Sequence, residues 1–155
     1  MSGGYATDTV IRLETNLDDL SPEITGAVMD QLFSAGALDV WFTPIQMKKN
    51  RPAIALSVLC NPAQETALAD IIFRETSAFG LRRDTVVRLK LERRFERVET
   101  PFGEVTIKLG LKADEIIQVT PEFESCRALS QSTKQPLQTI YQAALRAYEL
   151  KNHGF

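Results

Sequence analysis

Asp8-Thr-Val-Ile-Arg-Leu-Glu-Thr-Asn-Leu17, running straight into Asp18-Asp-Leu-Ser-Pro-Glu23, decides the architecture. Residues 8–17 alternate apolar and polar side chains through Ile11, Leu13 and Leu17, the period-two pattern of a strand with one buried face. Ser21, Pro22 and Glu23 then supply a hydroxyl cap, a proline at the first helical position and an acid in the first turn, which together start a helix. Ile24, Ala27, Val28 and Leu32 follow at steps of three and four, and Gly36 offers a left-handed stop.

Beyond Gly36, residues 38–47 are β-prone, with Pro44 marking an edge position or a bulge, and residues 52–60 form a second apolar run. Asn61-Pro62-Ala63-Gln64 reads as the capped start of a helix burying Leu68, Ile71 and Ile72, and residues 81–91 alternate once more. The order β-α-β-β-α-β predicts an α+β, ferredoxin-like plan: an antiparallel four-stranded sheet with both helices on one face. Residues 94–99 and 104–111 read as a hairpin turning through Thr100-Pro101-Phe102-Gly103, and residues 115–120 as a further strand; these are expected to extend or flank the sheet. A short helix through Cys126 and Leu129 precedes a last helix with Leu137, Ile140, Tyr141, Ala144, Leu145 and Tyr148 on one face. The expectation is a single ferredoxin-like domain over residues 9–150 with a C-terminal hairpin and helical extension.

Bulk properties narrow the function classes. With 155 residues, 44% hydrophobic and 25% charged, one core is the default. No apolar run approaches the roughly 18 residues of a membrane span, and the polar start lacks a signal-peptide pattern, so a cytoplasmic protein is expected. A net charge of −2 argues against a general nucleic-acid binder. An RNA-binding sheet would also need paired aromatics on its open face, which scattered phenylalanines do not supply. Cys60 and Cys126 lack metal-ligand spacing and read as buried, inert thiols; His153, the single histidine, reads as inert in a polar tail.

Three polar clusters carry the chemistry. Glu14, Asn16, Asp18 and Asp19 gather where the first strand gives way to the first helix, and oxygen ligands of this kind suit Mg²⁺ or Mn²⁺ held jointly with substrate phosphates. The same acids also suit the positive end of the following helix. Lys48, Lys49, Asn50 and Arg51 concentrate cations and donors suited to a triphosphate, although a charged turn also serves as plain solvated surface. Thr76 and Ser77 could cap or bond a ligand, Gly80 is expected to take a left-handed turn, and Arg82 or Arg83 could reach a phosphate; a helix stop with surface arginines explains the same residues. Acidic and basic clusters together form the recurrent arrangement for a metal-complexed nucleoside triphosphate. No Gly-x-x-x-x-Gly-Lys loop is present. Trp41 and Phe42 could stack on a base or belong to a core.

Four stretches also resemble a known family: residues 14–23, Pro44-Ile-Gln-Met-Lys-Lys-Asn-Arg-Pro52, Glu75-Thr-Ser-Ala-Phe-Gly-Leu-Arg82 and residues 98–108. In this order and spacing they look like the C-terminal domain of the nickel-insertion proteins, the cyclometallases of nickel-pincer nucleotide biosynthesis. The resemblance implies a homo-oligomer, a hexamer, that binds CTP with Mg²⁺ or Mn²⁺. It implies that the longer protein is a CTP-dependent enzyme of the lyase or chelatase class, which transfers nickel into the organic nickel-pincer precursor of the lactate racemase cofactor. Nucleotide binding is then the expectation for this part, with Asp18, Asp19, Glu14 or Asn16 toward the metal and Lys48, Lys49 and Arg51 toward the triphosphate. Arg82 or Arg83 would assist, and Thr76 or Ser77 would touch sugar or base. The rival reading is a ferredoxin-like oligomerisation or regulatory module without nucleotide chemistry.

Overall fold

A computed structural model describes residues 3–153; Met1 and Ser2 of the polar start, and the side chain of His153, lie outside what is described. Of the described residues, residues 8–88 form one compact unit, and residues 3–7 with 89–153 form another.

The first unit is built as its apolar periodicity dictates. Strands β1 (Ala6–Leu17), β2 (Asp39–Met47), β3 (Arg51–Cys60) and β4 (Arg82–Lys90) form one sheet in the order β2-β3-β1-β4. β1 and β2 both run antiparallel to β3, in registers that set Leu17 opposite Ile54 and Met47 opposite Arg51. Helices α1 (Pro22–Ser34) and α2 (Glu65–Glu75) interleave with these strands, giving the βαββαβ plan. Their buried residues join Ile11, Leu13, Leu17, Val40, Leu56 and Val58 in one core. Ser21 caps α1 as expected, its hydroxyl accepting from the Ile24 amide. The buried stripe of α1 differs by a rotation. Thr25, Val28 and Leu32 face inward, whereas Ile24 and Ala27 are exposed. Asn61 does not cap α2 with its side chain. Its carbonyl instead accepts from Gln64 in a 3-10 turn over Pro62–Gln64, which delays the helix by one turn. Leu68 and Ile72 are then fully buried.

The second unit carries the C-terminal hairpin, the further strand and the two helices that the sequence predicts. Strands β5 (Glu92–Thr100), β6 (Gly103–Lys112) and β7 (Glu115–Pro121) form a separate three-stranded sheet and add no strand to the first. Val105, Ile107, Leu109 and Leu111 alternate along β6 into a second core with Cys126, Ile140, Ala144 and Tyr148 of α3 (Phe123–Thr133) and α4 (Leu137–His153). At the β5–β6 turn, Thr100 accepts from the Phe102 amide and donates to the Gly103 carbonyl. Cys60 and Cys126 are buried free thiols, and burial pushes both up from the ordinary thiol range.

Candidate functional site

Antiparallel pairing brings the sequence clusters to one end of the first sheet. β1 and β2 finish there, and β3 begins there. β4 also begins there, because Arg82, Asp84 and Arg88 reach Glu14, Arg12 and Asp8 in reverse order. The loop from β1 to α1, the β2–β3 turn and the segment from α2 to β4 therefore share one edge of the unit.

Polar contacts tie these loops to one another. Arg51 donates to Asp18 at 3.0 Å, linking the basic turn to the acidic one. Ser77 donates to Asp19 across the same end. Thr15 donates to the Gly80 carbonyl at 3.0 Å, and Gly80 does not take the left-handed conformation expected of it. Lys48, Lys49 and Asn50 make the tight turn between the paired Met47 and Arg51. Lys49 and Asn50 both have positive φ, 61° and 54°. Asparagine tolerates this region, but a lysine there costs on the order of 1–3 kcal/mol, the kind of strain that collects at functional loops. The side chains of Lys48 and Lys49 are exposed and make no ion pair or hydrogen bond among the described residues.

The remaining expected residues are committed elsewhere. Arg82 donates to Glu14 at 3.0 Å and to Asn16 at 2.6 Å, on the sheet face that Glu14 shares with Ser57. Arg83, one residue on, points to the opposite face and is held in a two-point ion pair by Glu65 at 2.8 and 3.1 Å. Thr76 closes the end of α2, donating to the Ile72 carbonyl and accepting from the Ala78 amide. Among the described residues, no three His, Cys, Asp or Glu side chains gather to hold a metal ion.

Two features escaped sequence reasoning. Ser57, only 2% exposed, is a polar residue inside an apolar strand and donates to Glu14 at 3.0 Å; that interruption was the available signal. A cavity of about 350 Å³ opens beside Asp18, walled by Leu17, Leu20, Pro22, Phe42 and Ile54. Its walls come from segments distant in sequence, so no local pattern announces it.

The Arg82 guanidinium and the Ser57 hydroxyl both donate to Glu14 and hold its carboxyl below the ordinary glutamate range. A lowered folded-state pKa gives stability that is present above the unfolded value and lost as pH falls through the folded one. Glu14→Gln removes that titration. The melting temperature of the native chain should exceed that of Glu14→Gln near neutral pH, and the gap should close as pH falls below the ordinary glutamate range. Thermal melts across that range check this, and a gap that stays constant refutes it.

Residues 1–141 match the family described as nickel insertion protein. A putative nickel insertion protein of Syntrophotalea carbinolica is 49% identical over 138 residues, covering 89% of this chain and 35% of that protein. The pyridinium-3,5-bisthiocarboxylic acid mononucleotide nickel insertion protein of Acetivibrio thermocellus is 45% identical over 150 residues, 95% of this chain and 37% of that protein. This chain thus spans about a third of the length of these relatives. Among solved structures, the apo C-terminal domain of a cyclometallase involved in synthesis of the NPN cofactor of lactate racemase superposes with a TM-score of 0.87 and 44% identity. That match covers 93% of this chain and 99% of the other. Sequence and fold agree over nearly the whole chain, which belongs to the nickel insertion protein family.

Proposed function

We propose that this chain is the metal–CTP-binding part of a nickel insertase, which installs nickel, its transferred substrate, into a pyridinium-derived mononucleotide. The observation that carries this reading is the pair Lys48 and Lys49. They are raised on a left-handed turn without partners, at the sheet end where Asp18 and Asp19 also stand. Uncompensated cations on a strained, exposed turn suit an incoming polyphosphate.

The donor set fits Mg²⁺ or Mn²⁺ arriving with the nucleotide. Two neighbouring carboxylates, with no third joining them among the described residues, offer hard oxygens without a closed cage, and magnesium commonly takes one or two carboxylates plus phosphates. When bound, such an ion would neutralise phosphate charge and fix the chain of phosphates in one geometry. Asp18 and Asp19 would hold it, Lys48, Lys49 and Asn50 would bind the outer phosphate oxygens, and Arg51 would keep Asp18 oriented. The apolar cavity beside Asp18, near the lower end of ligand-pocket sizes of about 300–1,000 Å³, suits a single pyrimidine base against Phe42.

Calorimetric titration of the chain with CTP, ATP and GTP, each with and without Mn²⁺, tests this. CTP is expected to bind only with the metal, and more tightly than ATP or GTP. Failure of every nucleotide to bind would leave an oligomerisation or regulatory module as the better account.

A further inference from the structure

On the second sheet, the register sets Arg93 opposite Gly110 and Gly110 opposite Gln118, and likewise Phe95 opposite Lys108 and Lys108 opposite Thr120. Directly paired residues share a face, so these six stand together, on the side away from Val105, Ile107 and Leu109. We propose that this outer face binds a planar, anionic mononucleotide, with Arg93 and Lys108 on its phosphate and ring carboxylates and Phe95 against its ring.

Charge is the first support. Arg93 and Lys108 are exposed, and neither side chain makes an ion pair or hydrogen bond among the described residues. Arg97, further along the same face, is by contrast neutralised by Glu104 at 3.1 Å. The cavity of about 400 Å³ around Arg93 and Lys108 also has Lys90, Gln118 and Thr120 in its lining and no carboxylate. Two uncompensated cations beside amide and hydroxyl donors form an anion-selective surface.

Shape is the second support. At Gly110 a Cβ would stand 2.8 Å from the Leu91 Cδ1 and 3.1 Å from the Gln118 Cβ, so glycine there lets Leu91 and Gln118 close together as part of the cavity's wall. Phe95, opposite Lys108 on the same face though outside the cavity's own lining, is 55% exposed and offers one stacking surface. RNA-binding sheets stack two or three bases, whereas a lone aromatic and a cavity of this size accommodate one nucleotide. Which mononucleotide it is rests on the function proposed above: a pyridinium ring carrying thiocarboxylates and a phosphate presents the ring and charges this face complements. The residues are distinct from those assigned to CTP.

Nicotinic acid mononucleotide, a pyridinium carboxylate, is the probe for calorimetric titration of the whole chain. It should bind the native chain. Arg93→Gln and Lys108→Gln should each weaken it about tenfold, the loss of one charge-assisted hydrogen bond, and Phe95→Ala about fivefold or more through lost stacking. All three side chains are exposed, so folding should persist, and affinity for Mn²⁺–CTP should stay at the native value. No binding by the native chain, or loss through Lys49→Ala in place of Arg93→Gln, would overturn the site; tighter binding of a single-stranded oligonucleotide would overturn the mononucleotide. If Mn²⁺–CTP fails to bind while the probe binds through Arg93 and Lys108, the CTP reading falls and this site stands.

Discussion

The double substitution Lys48→Ala and Lys49→Ala is expected to weaken Mn²⁺–CTP binding on the order of a hundredfold or more while leaving the far-UV circular dichroism unchanged. Each lysine can give a phosphate a charge-assisted hydrogen bond, worth about 1.5–3 kcal/mol, and each 1.4 kcal/mol is about a factor of ten in affinity. Neither side chain has a partner to lose within the described residues, so folding should not register the change. Asp18→Asn is the companion variant. It keeps the shape beside Arg51 but removes the charge that a divalent ion needs, so its effect should appear with Mn²⁺ present. Native affinity in both variants would remove the turn and the acidic pair from the site.

The strand and helix order was legible because each element carries its own local signal. β1 alternates, Ser21-Pro22-Glu23 starts α1, and the charged stretch at residues 48–51 interrupts two apolar runs. The convergence of the three clusters followed from that order, since antiparallel neighbours bring these loops to one end. What the sequence withheld depends on packing between distant segments. The alternation of β6 shows that one face is buried, yet not that α3 and α4 cover it as a separate core. Arg82 and Arg83 differ by one residue, so alternation sends them to opposite faces. Their capture by Glu14 and Glu65 is a tertiary fact that no spacing announces. The left-handed backbone at Lys49 was equally hidden, because lysine has no preference for positive φ.

Leu56→Ala and Ile107→Ala should each destabilise one core by about 2–5 kcal/mol, the usual range when a fully buried large aliphatic side chain is cut to alanine. Both residues are fully buried, Leu56 among the side chains that α1 and α2 cover and Ile107 among those of α3 and α4. The chain supplies a reporter for each. Its single tryptophan, Trp41, lies within residues 8–88, whereas the three tyrosines, Tyr5, Tyr141 and Tyr148, all lie in the other unit. In denaturant titrations, Leu56→Ala should shift the transition seen by Trp41 fluorescence to lower denaturant. Ile107→Ala should shift the transition seen through the tyrosine near-UV signal. Equal movement of both transitions by either variant would mean that the cores unfold as one cooperative unit. Separate movement would mean that a lesion in one core leaves the other standing, so binding changes from substitutions at Lys49 and at Arg93 could be assigned without a shared loss of structure.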